Sequence, residues 1–133
     1  SIEGNAARRD YFEAYNHVDI ILDTFPYMGA TTTAEALAMG VPVVSLKGNH
    51  LFASLGATLL IHGGFPDLVS TDAGGYVDCA VRTANRIARG ELTKQMVREK
   101  ADASGLFDGE KFAGKFARSL RDMISIVERE AGG

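Results

Sequence analysis

The chain carries a single cysteine, Cys79. With no second thiol there is no internal disulfide framework and no cysteine-built metal site. A lone cysteine in a helical stretch is most often a small buried apolar residue, and such sparing use fits a reducing, cytoplasmic setting. A strong excess of one charge is also missing: 14 basic residues against 17 acidic ones leave a net charge of −3. Phosphate backbones need clustered Lys and Arg. Here the basic residues are interleaved with acidic ones, as at Arg118, Arg121 and Asp122, which reads as a solvated helix face. Nucleic acid is therefore not the expected partner. No signal peptide is visible and no apolar run is long enough to span a bilayer, so no membrane partner is expected. His50 and His62 lie twelve residues apart and share no tight metal face. No Ser-His-Asp or Cys-His arrangement is legible. Neither a metal nor a cofactor is expected, and no catalytic residue is assigned.

What is present is a chain of 133 residues, 46% of them hydrophobic, with a mean hydropathy near zero. That suits one globular domain with a real core. Residues 1–4 could close a strand, and Asn5 could cap a helix to about Asn16 that buries Tyr11, Phe12 and Tyr15 on one side. The β-branched run 18–23 reads as a buried strand. A loop holding Pro26 and Gly29 leads to a short helix over 32–39, ended by Gly40 at its C′ position. A second strand covers 41–46, with Pro42 tolerated at its start. A turn at 47–49 feeds a helix to about His62, and a last short strand falls within 65–69. The rest is helical: 73–88 stopped by Gly90, 92–103, and a long helix over 106–129. Asp108 is a plausible cap for that helix, with Phe107 and Phe112 placed as a hydrophobic staple. Its stripe of Phe112, Phe116, Leu120, Met123 and Val127 reads as core.

Strand and helix alternate to about residue 70, which is βαβ rhythm and predicts a parallel sheet with helices on both faces. Three or four strands are fewer than a complete doubly wound domain holds, so part of the sheet is expected outside this chain, N-terminal to it. In such sheets ligands bind beyond the carboxyl ends of the strands. Two loops reach that edge, 24–32 and 47–49. In the first, Gly29 permits close backbone approach or positive φ, and Thr31, Thr32 and Thr33 follow where a helix begins. Helix N-termini offer unpaired N–H groups and partial positive charge, a match for a diphosphate, and threonine hydroxyls add rotatable donors. A plain strand-to-helix turn explains the same residues. Glu35 could accept hydrogen bonds from a ribose diol, or it could close a capping box with Thr32. Lys47 and His50 are weaker candidates at the same edge, His50 near the N-terminus of its helix. Asp23, ending a strand there, is either functional or a turn former.

The run from Asp19 to Val44 is then identifiable by its parts. Asp23-Thr24-Phe25-Pro26-Tyr27, Gly29-Ala30-Thr31-Thr32-Thr33, Glu35 and Gly40-Val41-Pro42-Val43-Val44 together resemble the C-terminal catalytic lobe of the O-GlcNAc transferase and SPINDLY-like family. Gly56-Ala57-Thr58-Leu59-Leu60 and Ser104-Gly105-Leu106-Phe107-Asp108 fit the same pattern. The resemblance implies a partial Rossmann-like three-layer parallel sheet, the C-terminal lobe of a GT-B fold, with a helical C-terminal tail over residues 1–133. It implies that Gly29, Ala30, Thr31, Thr32 and Thr33 hold the donor diphosphate and that Glu35 meets the nucleotide ribose. The family's enzymes usually carry TPR repeats upstream. The implied activity is metal-independent inverting transfer from a nucleotide sugar, first of all UDP-GlcNAc with a GDP-sugar as alternative, to a protein acceptor. Ala30 stands where animal members often have His, and Ser54 where many bacterial ones have Arg. The family's proposed base and acceptor groove belong to an N-terminal lobe missing from this chain, so these residues alone are not expected to transfer sugar. A degenerate, non-catalytic lobe used for binding or assembly is the alternative. A GT-B epimerase would need carboxylates not identifiable here.

Overall fold

The computed structural model describes residues 8–131; the expected strand end at 1–4 and the cap at Asn5 lie outside the described residues. Helix α1 (Arg8–Ala14) runs into a 3-10 turn (Tyr15–His17) and then strand β1 (Ile21–Leu22). Helix α2 (Thr31–Ala38), strand β2 (Val43–Leu46), a 3-10 turn (Leu51–Ala53) and helix α3 (Leu55–His62) follow. A third 3-10 turn (Pro66–Leu68), strand β3 (Val69–Ser70) and helices α4 (Ala73–Ala88), α5 (Lys94–Ala103) and α6 (Gly109–Ala131) complete the order. The strands form an open parallel sheet in the order β1-β2-β3, with Ile21 opposite Val43 and Ser45 opposite Val69. Both connections step along the sheet in the same direction, so right-handed crossovers put α2 and α3 on one face, where they touch. Val43, Val44 and Ser45 alternate in direction yet are all buried, so both faces of β2 are covered; α4 packs against β2 and β3 and supplies the second layer.

The core gathers Leu37, Val41, Val43, Val44, Leu60, Leu68 and Val97 around β2. Cys79 is buried there as a small residue, its thiol on the Asp67 carbonyl. Helix α5 locks the N-terminal half by charge. Lys94 Nζ donates to the carbonyls of Tyr15 and Asn16, and the Arg98 guanidinium to those of Ala38 and Met39. Both are cations at helix C-terminal ends, where unpaired carbonyls and the dipole favour them. Gly40 takes φ +79 just past α2, and a Cβ there would run into the Lys94 carbonyl, so the helix stop is fixed by backbone conformation and by contact.

Four expectations change. The first strand is not buried: β1 is the sheet edge among the described residues, and Leu22 is 52% exposed. The helix expected after residue 49 is interrupted: the chain turns 3-10 at Leu51–Ala53 and restarts at Leu55. Phe65–Val69 divides into a 3-10 turn and a two-residue strand. The stripe on α6 is not core: Phe112, Phe116, Leu120, Met123 and Val127 are all exposed. The spacing does make an amphipathic helix, capped by Asp108 Oδ1 on the Lys111 amide, but its apolar face is left to solvent. Phe112 stacks on Phe116, and Phe107 and Phe112 are both solvent-exposed.

Candidate functional site

The site grows from the carboxyl end of β1. The Asp23 amide continues the ladder by donating to the Val44 carbonyl at 2.9 Å, and its side chain then turns under the loop that follows. Asp23 Oδ1 accepts from the Gly29 amide at 2.9 Å and Oδ2 from Ser45 Oγ at 2.8 Å. The Asp23 carbonyl accepts from the Tyr76 hydroxyl of α4 at 2.9 Å. Burial and then the Asp23 charge push the Tyr76 phenol above its ordinary value. Helix α3 closes on the same carboxylate: a Cβ on Gly56 would collide with Asp23 Oδ2 and come within 3.0 Å of the Gly29 carbonyl. Asp23 is therefore the post on which the loop is hung. The residue pair Asp23-Thr24 left a functional residue and a turn former equally open, because the partners that decide between them come from β2, α3 and α4.

Within the loop, Thr24 Oγ1 donates to the Tyr27 carbonyl and the Phe25–Pro26 peptide is cis. Gly29 is not at positive φ. Its need for a bare Cα is steric, since a Cβ would meet Thr32 Oγ1 and lie 3.3 Å from Thr33 Oγ1. The three threonines differ. Thr33 is buried and donates to the Gly29 carbonyl at 3.0 Å, so it fixes the turn from beneath. Thr31 and Thr32 are exposed, and their hydroxyls have no hydrogen-bond partner among the described residues. The helix they open has Ala30 at its N-cap, with no side-chain cap. The capping box does not form, because the cap position falls on Ala30 and Thr32 lies two residues past it, inside the helix. The first intrahelical bond among these residues is from Ala34 N to the Ala30 carbonyl, which leaves the amides of the first turn as unpaired donors.

These groups face an open cleft of about 420 Å³ lined by Thr24, Met28, Gly29, Ala30, Thr31 and Thr32 on one side. Its other wall is apolar: Tyr27 stacks on Phe52 with centroids 6.2 Å apart and planes 14° apart, beside Leu55. No local pattern points to this aromatic pair, since 25 residues separate its members. Lys47 and His50 are exposed and line a neighbouring cleft of about 280 Å³ with Phe25, Asn49 and Asp72. They are at the expected edge but not in the cleft of the Gly29 loop. His50 is in extended conformation before the 3-10 turn, not on a helix.

Glu35 also lies outside the cleft lining. Its Oε2 accepts from the Tyr11 hydroxyl at 2.9 Å, and Tyr11 in turn meets the Tyr15 hydroxyl at 2.8 Å. No cluster of three His, Cys, Asp or Glu among the described residues could hold a metal, and no described helix is long and apolar enough to cross a membrane.

Comparison with known proteins agrees on one family. The description of glycosyl transferase family 41 matches residues 3–116. The chain is 38% identical over 114 residues to a probable UDP-N-acetylglucosamine–peptide N-acetylglucosaminyltransferase SPINDLY of Solanum lycopersicum, covering 86% of this chain and 12% of that protein. The Arabidopsis thaliana counterpart is 35% identical over the same shares. Among solved structures, a mutant of the Thermobaculum terrenum O-GlcNAc transferase superposes with a TM-score of 0.78 at 33% identity, over 89% of this chain and 23% of that one. The chain thus spans about an eighth of the length of the curated relatives.

Proposed function

The chain belongs to glycosyltransferase family 41, with an open parallel sheet of the GT-B kind, and from that premise we propose that it holds the diphosphate and ribose of a nucleotide sugar. The observation that carries this reading is the uncapped N-terminus of α2, whose free amides and unpartnered Thr31 and Thr32 hydroxyls line the cleft. A diphosphate there is met by hydrogen-bond donors and by the positive end of the helix dipole, with no metal required. In transfer, the same donors stabilise the charge that builds on the departing diphosphate as the acceptor hydroxyl attacks the anomeric carbon. Glu35 takes the ribose hydroxyls. Gly29 and Ala30 bring backbone close to the phosphates, and Thr33 supports the turn. Lys47 and His50 sit one cleft away, where they suit a more distal part of the donor or the acceptor. The relatives' names favour UDP-GlcNAc as donor and a protein as acceptor. The resemblance puts the catalytic base and acceptor groove in an N-terminal lobe, so residues 1–133 are read as the donor-binding part of the catalytic unit.

Calorimetry with UDP and GDP on the full-length protein tests the site. Thr31→Ala and Glu35→Ala should each weaken UDP binding by about tenfold or more, the scale of a hydrogen bond to a charged group. Unchanged, tight binding in both variants would remove the proposed site.

A further inference from the structure

Glu35 is a long, flexible carboxylate one turn inside α2. Left to itself it would sample several rotamers and be drawn toward the open helix end. It is instead held from α1. The Tyr11 hydroxyl donates its one hydrogen to Glu35 Oε2 at 2.9 Å, since a carboxylate only accepts. The 2.8 Å contact between Tyr11 and Tyr15 must then run from Tyr15 to Tyr11. Tyr15 is buried at 8% exposure, its ring edge-on to Tyr11 with centroids 5.5 Å apart. The core thus anchors Tyr15, Tyr15 orients Tyr11, and Tyr11 orients Glu35. Oε1 of Glu35 has no partner among the described residues and remains open to accept from a ligand hydroxyl.

We propose that Tyr11 is a positioning residue that fixes the Glu35 carboxylate to accept from a ribose diol, and so sharpens selection of ribose over dideoxyribose nucleotides. This rests on the reading of Glu35 as the ribose contact. A side chain fixed before binding loses less rotamer freedom on binding, an effect of about two- to tenfold in affinity. The benefit falls only on ligands that use the carboxylate.

The test measures calorimetric affinity of the full-length protein for UDP, 2′,3′-dideoxy-UDP and inorganic pyrophosphate. Wild type should prefer UDP over the dideoxy form by about tenfold or more. In Glu35→Ala that preference should collapse toward one. In Tyr11→Phe it should fall by about two- to tenfold while pyrophosphate affinity stays at the wild-type value, which also shows the loop intact. If Glu35→Ala keeps the wild-type preference, the ribose reading fails and the role of Tyr11 with it. If Glu35→Ala loses the preference but Tyr11→Phe keeps it, only the role of Tyr11 is overturned. If Tyr11→Phe weakens all three ligands alike, Tyr11 is merely structural and the proposal is also overturned.

Discussion

Asp23 uses both carboxylate oxygens on donors of the protein itself, the Gly29 amide and the Ser45 hydroxyl. Removing the carboxylate leaves the half-buried Gly29 amide without its partner and the buried Ser45 hydroxyl with only the weak Met28 Sδ acceptor at 3.7 Å. Asp23→Ala should therefore cost about 2–4 kcal/mol of stability, read by denaturant unfolding, and weaken UDP binding along with it. Asp23→Asn keeps an oxygen for Gly29 and can donate to Ser45 Oγ, so it should retain most of both; equal losses in the two variants would contradict the post-like role. Gly56→Ala drives a methyl into the same carboxylate and should destabilise by about 1–3 kcal/mol through overpacking. Tyr76 adds a pH signature. Its folded-state pKa is raised, chiefly by burial, so above about pH 10 the unfolded chain gives up the phenolic proton first. The stabilising contribution is complete below that pH and is lost as pH rises further. Thermal melts between pH 9 and 11.5 should fall less steeply in Tyr76→Phe than in wild type, although the variant starts lower for want of its bond to the Asp23 carbonyl.

At the scale of elements, helix signals in the sequence were of two kinds. The glycine stops and the Asp108 cap are local, and they held. Gly40 and Gly90 end α2 and α4 at positive φ, and Asp108 caps α6. Amphipathic spacing is local too, but it says only that a helix has an apolar face, not that something covers it. In α6 the face from Phe112 to Val127 is exposed to solvent. Substitutions there should act as surface changes within this chain. Leu120→Lys should leave the melting of the 133-residue chain within about 0.5 kcal/mol of wild type, whereas Leu60→Ala, fully buried, should cost about 2–5 kcal/mol. A large loss from Leu120→Lys would show that the stripe is packed after all. The α2 N-terminus makes the complementary point. The motif Thr32-Thr33-Ala34-Glu35 suits a capping box, yet the N-cap falls two residues earlier, at Ala30, and Glu35 turns to Tyr11.

Across the whole molecule, order is expected to follow the sheet. β2 is flanked by β1 and β3 and buried on both faces, while α6 stands apart from the core. Hydrogen exchange should be slowest at the β2 amides and fastest in α6, with β1 between them because its outer edge has no neighbour among the described residues. Protection of α6 equal to that of β2 would mean that the long helix is part of the cooperative unit.

The amino-acid sequence by itself determined the parallel βαβ order, the glycine stops, the loop at 29–33 and the family. These depend on hydrophobic period, backbone permissiveness and a contiguous motif, all of which act over a few residues. Only the tertiary structure decided that Thr33 faces inward while Thr31 and Thr32 face the cleft, and that Lys47 and His50 line a separate cleft. It also decided that Asp23 carries the loop and that Glu35 is held by Tyr11, 24 residues away. Each of those outcomes is set by which distant groups the crossovers bring within hydrogen-bond reach. That is a property of packing, which no spacing along the chain encodes.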